Sequence, residues 1–210
     1  LKIACFNDQV FYSKKVLIAT GAFTNFFNLL KEKVVLKLKS ETTIWVKANE
    51  KEAQRLQSLP SLLYKINESE VQDIYLIQPV KYPDGNFYLK MGANIPDDNY
   101  FTYLEEIQQW FKNKGSIDIS SLRNSLQSIL PGLSASGCYE KRCIVCYTFH
   151  GKPYIGPIDD KGLYIAAGGN GYAAMSSDAL GKIATNIFLE KSFPPSFSEK
   201  DFKPVFEKEI

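Results

Sequence analysis

Residues 162–181 read GLYIAAGGNGYAAMSSDALG: a short apolar run enters a glycine cluster and leaves it through small residues at helical spacing. A strand-to-helix turn of this kind can aim a helix N-terminus, with its free N–H groups and positive dipole end, at an electron-rich ligand. It can equally be a tight turn whose glycines serve packing alone. Gly169-x-Gly171-x-x-Ala174 also fits the dinucleotide-binding fingerprint by letter, with Glu190 downstream as the ribose-binding acid. The context rejects that reading. The fingerprint needs a second strand after the helix with the acid at its end, whereas Glu190 ends the helix itself and KSFPPSFSEKDF follows.

Lys90 lies in NFYLKMG, where alternation puts Phe87, Leu89 and Met91 on one face and Tyr88 and Lys90 on the other. A lysine there either snorkels from a solvated face or serves as a fixed charge. Cys138, Cys143 and Cys146 have the C-x-x-x-x-C-x-x-C spacing of a plant-type iron–sulfur run. Cys5 is the one cysteine left as a fourth ligand, and YEKRCIVCYT alternates like a strand, so strand cysteines and no metal are expected.

These side chains need elements to hold them. A chain of 210 residues suffices for one large or two small domains. Its 25 basic and 23 acidic residues leave a net charge of +2, which supplies no field for nucleic acid. No stretch is long and apolar enough for a membrane span, and no signal peptide opens the chain. Four cysteines make no disulfide scaffold, so a reducing, cytoplasmic setting is expected.

LKIACFND and KKVLIATGA read as strands, and VVLKLKSETTIWVKA as a long strand with a bend near Ser40. Asn49 and Glu52 form a capping-box-like start to a helix stopped by Pro60. IYLIQPVKY and NFYLKMGAN flank Pro83-Asp84-Gly85 as a hairpin. Leu104, Ile107 and Phe111 mark one helix, and Ile119 to Leu130 another ended by Pro131-Gly132. Strands follow at 138–148 and LYIAA, and then a last helix through Leu180, Ile183 and Ile187. The tail after Phe193 is expected on the surface. Strands with helices inserted between them indicate an α+β protein with a mixed, largely antiparallel sheet covered by helices. Residues 31–150 look like a self-contained sheet, and the glycine-rich ends look like pieces of a nucleotide fold.

CYTFHGKPYIGPIDDKGLYIAAGGNGYAAMSSDALGKIATNIF resembles the C-terminal signature of the D-amino-acid-oxidase-like flavoenzymes, the group of sarcosine oxidase and glycine oxidase. KKVLIATGAFTN is similar to the strand-and-glycine element closing their FAD domain, YLKMG to a strand of their substrate domain, and LQSILPGL to the helix before the final sheet return. The likeness spans most of residues 1–190. It implies the C-terminal part of an FAD/NAD(P)-binding, Rossmann-like domain from residues 1–30 and 151–192, a substrate domain at 31–150 and a surface tail at 193–210. It further implies FAD, and oxidation of the C–N bond of an amine or amino acid by hydride transfer, with oxygen or another acceptor taking the electrons. Gly168, Gly169, Asn170, Gly171 and Tyr172 would bring backbone N–H groups to the pyrimidine carbonyl of the flavin, and Gly21 and Gly156 would pack near the cofactor. Lys90 matches a lysine that promotes oxygen reduction.

Departures from the pattern refine those expectations. The cysteine that carries FAD in monomeric sarcosine oxidases is Val145 here, with Cys146 one residue off, so non-covalent FAD is expected. The lysine that binds the substrate carboxylate is Met175, which favours a less acidic or bulkier amine. His150, in place of part of a TPDG segment, either lines the pocket or is structural, and Tyr172 either walls the substrate site or fills a gap. The N-terminal G-x-G-x-x-G unit is absent and the chain starts at Leu1. These point to a C-terminal half (a fragment, a processed chain or a subunit) partnered by a missing FAD-binding half. The competing reading is a non-catalytic binding or structural module that keeps the fold without functional FAD.

Overall fold

The computed structural model describes residues 1–65, 71–96, 98–113 and 118–210. In chain order the elements are β1 (Lys2–Ala4), β2 (Val10–Tyr12), β3 (Val16–Ile18), β4 (Leu36–Ala48), α1 (Glu50–Arg55) and β5 (Leu62–Lys65). There follow β6 (Asp73–Lys81), β7 (Phe87–Asn94), β8 (Tyr100–Phe101), α2 (Leu104–Lys112) and α3 (Ser120–Ile129). The last are β9 (Ala135–Thr148), β10 (Tyr154–Pro157), β11 (Leu163–Ala167) and α4 (Ala173–Phe188). Two compact units result, Leu1–Lys39 with Val145–Ile210, and Ser40–Ile144; both boundaries fall inside long strands rather than in linkers. Among the described residues no helix is long and apolar enough to cross a membrane.

The unit Ser40–Ile144 is organised by alternation on a sheet ordered β5-β6-β7-β4-β8, with β9 also paired to β4. Ile44 and Val46, Ile74 and Leu76, and Leu89, Met91 and Ala93 all turn to one face. They pack there with Leu56, just past α1, and with Leu122 and Leu126 of α3. Full burial of such a side chain contributes about 1.5–3 kcal/mol, so this face fixes the register. The hairpin expected at Pro83-Asp84-Gly85 forms, with Gly85 at φ +81° and its N–H donating to the Tyr82 carbonyl at 2.9 Å. On the opposite face, the Tyr75 ring lies over Gly92, where any Cβ would collide with it.

Local hydrogen bonds refine these elements. β4 continues as one strand through Ser40, whose N–H donates to the Asn99 carbonyl and whose hydroxyl accepts the Asn99 N–H, both at 2.7 Å. Asn49 does cap α1, accepting the Glu52 N–H at 2.8 Å. The Glu52 carboxylate, however, binds the Arg55 guanidinium at 2.6 and 2.8 Å and the Ser134 N–H at 3.1 Å instead of closing a capping box. Tyr154–Pro157 of KPYIGP form the strand β10.

In the other unit β10 pairs antiparallel with β11, which pairs parallel with β3. Both faces of this sheet are covered. Tyr154, Ile165, Ala167 and Ile18 pack with Leu30 and Val34 on one side, and Ile155 with Ile183 and Ala184 of α4 and Phe202 on the other. The buried Tyr154 hydroxyl donates to the Val35 carbonyl and accepts the Phe149 N–H, both at 3.0 Å. The tail does more than follow the surface: Phe202 and Pro204 are buried, and Phe206 bridges to Val34.

The Arg55 guanidinium and the Ser134 N–H hold the Glu52 carboxyl down at about 2, from an ordinary 4.5. A depressed folded-state pKa makes this contribution complete above the ordinary carboxylate range and lost as pH falls toward 2. Glu52→Gln is therefore expected to cost about 1–2 kcal/mol at pH 7. The gap between parent and variant should close in denaturant titrations taken from pH 5 down toward 2.

Candidate functional site

β11 ends at Ala167, and the chain enters α4 within five residues. Gly168 (φ +76°), Asn170 (φ +52°) and Gly171 (φ +79°) make the reversal in the left-handed region, which is open to glycine and tolerated by asparagine. Asn170 is buried and fully engaged. Its Nδ2 donates to the Gly168 carbonyl at 2.7 Å, and its Oδ1 accepts the Thr148 N–H at 2.9 Å and the Thr148 hydroxyl at 3.3 Å. Its own N–H donates to the Cys146 carbonyl at 2.9 Å. The turn is thereby riveted to the end of β9. A Cβ at Gly168 would strike Thr148 Cγ2, and one at Gly169 would sit 2.6 Å from Ala173 Cβ.

The helix that follows starts bare. Tyr172 provides no side-chain cap, and the first turn of α4 contains no acidic residue. Tyr172 and Met175 are exposed at its rim, 58% and 73%. The Tyr172 and Ala173 N–H groups donate to the Gly169 carbonyl at 2.9 and 3.1 Å, while the positive end of this sixteen-residue helix meets no acidic side chain in its own first turn.

Val145 flanks this turn, its Cγ1 3.7 Å from where a Gly171 Cβ would stand. Cys146 is buried instead, its Sγ 4.0 Å from the Gly21 carbonyl, and burial pushes its thiol up to about 11. Gly21 has φ +55°, and its carbonyl also accepts the Thr24 hydroxyl at 2.7 Å. Gly156 sits in β10 opposite Ile165 and next to Pro204. His150 lies in an exposed turn with Nε2–H donating to the Lys203 carbonyl at 3.1 Å and Nδ1 accepting the Lys152 N–H at 3.2 Å; both ring nitrogens are engaged by main chain. Glu190, past the end of α4, is paired with Lys15 at 2.6 Å. Among the described residues no group of His, Cys, Asp and Glu is arranged to hold a metal ion.

Lys90 belongs to the other unit. It is half-buried on the outer face of β7, opposite Trp45 of β4. Its Nζ lies 5.5 Å from the centroid of the Tyr75 ring and 6.0 Å from that of Trp45. Among the described residues it makes no close ion pair with a carboxylate, and its ammonium rests against two aromatic faces. Burial foremost, then the nearby Glu41 charge, raises the Tyr75 phenol, which stays neutral. Tyr75 and Trp45 are neighbours that sequence reasoning missed. Strand parity put them on some outer face, but which lysine they meet depends on cross-strand register.

The model of the DAO family, FAD dependent oxidoreductases, matches residues 6–187. A comparison with curated protein sequences yields no match. Among solved structures the chain is similar to a fructosyl amine:oxygen oxidoreductase (Amadoriase I) from Aspergillus fumigatus, at 16% identity and TM-score 0.63, over 94% of this chain and 44% of that one. It is also similar to iminodiacetate oxidase from Chelativorans sp. BNC1, at 10% identity and TM-score 0.62, over 97% and 49%. Glycine oxidase from Geobacillus kaustophilus gives 16% identity and TM-score 0.62, over 92% and 46%. At these identities the likeness is one of fold, and the chain spans less than half the length of each of these relatives.

The turn geometry makes a separable forecast. Gly168→Ala should lower stability by about 2–3 kcal/mol, combining the collision with Thr148 and the positive φ. Adding Thr148→Ser removes the clashing methyl and should recover all but the roughly 1 kcal/mol of backbone strain. Thermal unfolding of the single and double variants checks this.

Proposed function

The chain belongs to the DAO family of FAD-dependent oxidoreductases, and from that premise we propose that it forms the flavin-edge and substrate-binding part of an enzyme oxidising the C–N bond of an amine or amino acid. The observation carrying this reading is the uncapped start of α4 behind a turn locked by Asn170. The residues fit a flavin edge: small side chains permit close approach, and the positive dipole end of α4 has no acidic side chain in its first turn to offset it. When bound, FAD supplies the hydride acceptor, with oxygen or another acceptor regenerating it. Gly168 to Tyr172 would hold negative charge developing at that edge, at no reorganisation cost. Lys90 would supply a second fixed positive charge. Val145 offers no nucleophile beside Gly171 and the Cys146 thiol is buried and protonated, which supports non-covalent binding.

The structural relatives are a fructosyl amine:oxygen oxidoreductase, an iminodiacetate oxidase and a glycine oxidase, all named for amines, which supports an amine or amino acid here. Met175 at the rim favours a less acidic or bulkier one than a simple amino acid. We propose too that a further FAD-binding half holds the ADP portion, since residues 1–210 contain no G-x-G-x-x-G opening a βαβ unit.

Two measurements on the flavin-containing protein test this. Acid precipitation should leave FAD in the supernatant; flavin fluorescence retained in the pellet would refute non-covalent binding. In stopped flow, amine substrates should bleach the flavin anaerobically. Lys90→Met should slow reaction of the reduced protein with oxygen by roughly a hundredfold while changing the anaerobic step much less. Unchanged oxygen rates would return Lys90 to an ordinary surface lysine. A flavin that no amine bleaches would return the chain to a non-catalytic module.

A further inference from the structure

The outer face of the six-stranded sheet carries a groove of about 650 Å³ walled by Trp45, Tyr82, Tyr88 and Tyr139. The first three hold one another: the Trp45 and Tyr82 centroids are 4.8 Å apart, Trp45 and Tyr88 5.9 Å, and Tyr82 and Tyr88 5.4 Å at 89°. The Trp45 indole N–H donates to the Thr43 hydroxyl, which donates to the Lys141 carbonyl, both at 3.3 Å, so the ring is also anchored from its polar edge. Tyr139 lies back over Gly137, where a Cβ would come within 2.7 Å of its hydroxyl. These walls are rigid aromatic surface.

Asp84, Glu140 and Lys141 line the groove, Glu140 from the strand position that alternates away from Tyr139 and Lys141, and the Lys47 charge also acts on Asp84. Asp84 is fixed in place. It accepts the Asn86 N–H and side-chain amide, each at 3.0 Å, and the Tyr88 hydroxyl at 2.8 Å. Those bonds keep it below its ordinary range and therefore ionised. Lys141, exposed and without a carboxylate partner among the described residues, places its ammonium 5.9 Å from the Trp45 centroid. The indole therefore already takes a cation from this side, delivered on a flexible stem by β9, while Lys90 reaches it from β7. A fixed carboxylate beside four aromatic rings, with a tethered ammonium as resident occupant, is an arrangement that suits a carbon-rich cation.

We infer that this groove binds an organic ammonium group against Trp45, Tyr88 and Tyr139, with Asp84 balancing its charge and Lys141 swinging aside. The inference rests on the amine-oxidoreductase reading for one point: the bound cation is then the remote head of the substrate. The substrate class becomes an extended amine with a second cationic group, away from the C–N bond that reacts. Lys141 is a competitor in this scheme, not a ligand.

That last feature gives the test its sign. Tetramethylammonium chloride, titrated into the full protein against sodium chloride at equal ionic strength, should perturb Trp45 fluorescence saturably. Trp110→Phe leaves Trp45 the sole reporter, and the indole N–H resonances of the parent give the same readout if that variant does not fold. Asp84→Asn should weaken binding by about threefold or more, and Lys141→Gln should strengthen it by a similar factor. Benzoate should not bind. Absence of saturation, weakening by Lys141→Gln, or benzoate binding that Lys141→Gln abolishes would each overturn the inference. Because flavin is not needed for the measurement, ammonium binding without turnover of any diamine would leave the groove standing and count against the oxidoreductase reading.

Discussion

The glycine turn depends on one buried amide held in a left-handed backbone conformation. Asn170 has φ +52° and closes hydrogen bonds to Gly168, Thr148 and the Cys146 carbonyl. Left-handed backbone is unfavourable for most side chains, and a buried amide is costly unless every polar atom is paired. Here each cost removes the other: the conformation aims the amide at its partners, and the partners hold the conformation. Glycines on either side supply the remaining reversal. The result is a sharp helix start without a side-chain cap, held by the Asn170 hydrogen bonds, and electrostatic stabilisation requires such preorganisation.

A second constraint is strand parity in the unit Ser40–Ile144. Every core residue of β4, β6 and β7 fixes its neighbour to the opposite face, so burying Leu89 and Met91 obliges Lys90 to face outward beside Trp45. The outer face accepts bulky rings because glycine lies beneath two of them, Gly92 under Tyr75 and Gly137 under Tyr139. Aromatic surface flanked by lysines is thus a consequence of how the core packs, and it is the raw material of both the Lys90 site and the groove.

What could be read beforehand follows from the same physics. The hairpin β6–β7, α3 and α4 were legible because their signals are local: a Pro-Asp-Gly turn, apolar spacing and a glycine entry. β2, β5 and β8 are two to four residues long and exist through their pairing partners, so their sequences carry no period. β10 reads as a turn because Gly156-Pro157 punctuates it, yet pairing with β11 and burial of Tyr154 and Ile155 decide the matter. In the tail, Lys, Glu and Pro mask the buried Phe202. The side of the sheet that Lys90 takes was readable; its two aromatic neighbours were not, since register between distant strands sets them. Asn170 stood out by position, but Thr148 as its partner lies on another strand.

The candidate chemistry then reduces to how positive potential is delivered. A lysine paired with a carboxylate presents little net field, and a capped helix presents less than an open one. In one unit the chain leaves α4 uncapped and free of first-turn acids, while Glu190, the acid closest along the chain to its far end, is taken up by Lys15. In the other, Lys90 rests on the π faces of Tyr75 and Trp45, which hold a cation without neutralising it. Both arrangements keep charge available to a ligand rather than to the protein itself. A scaffold selected only for stability gains by capping the helix with a side chain and pairing the lysine; among the described residues neither is done, which supports the proposal that these positions serve a bound group.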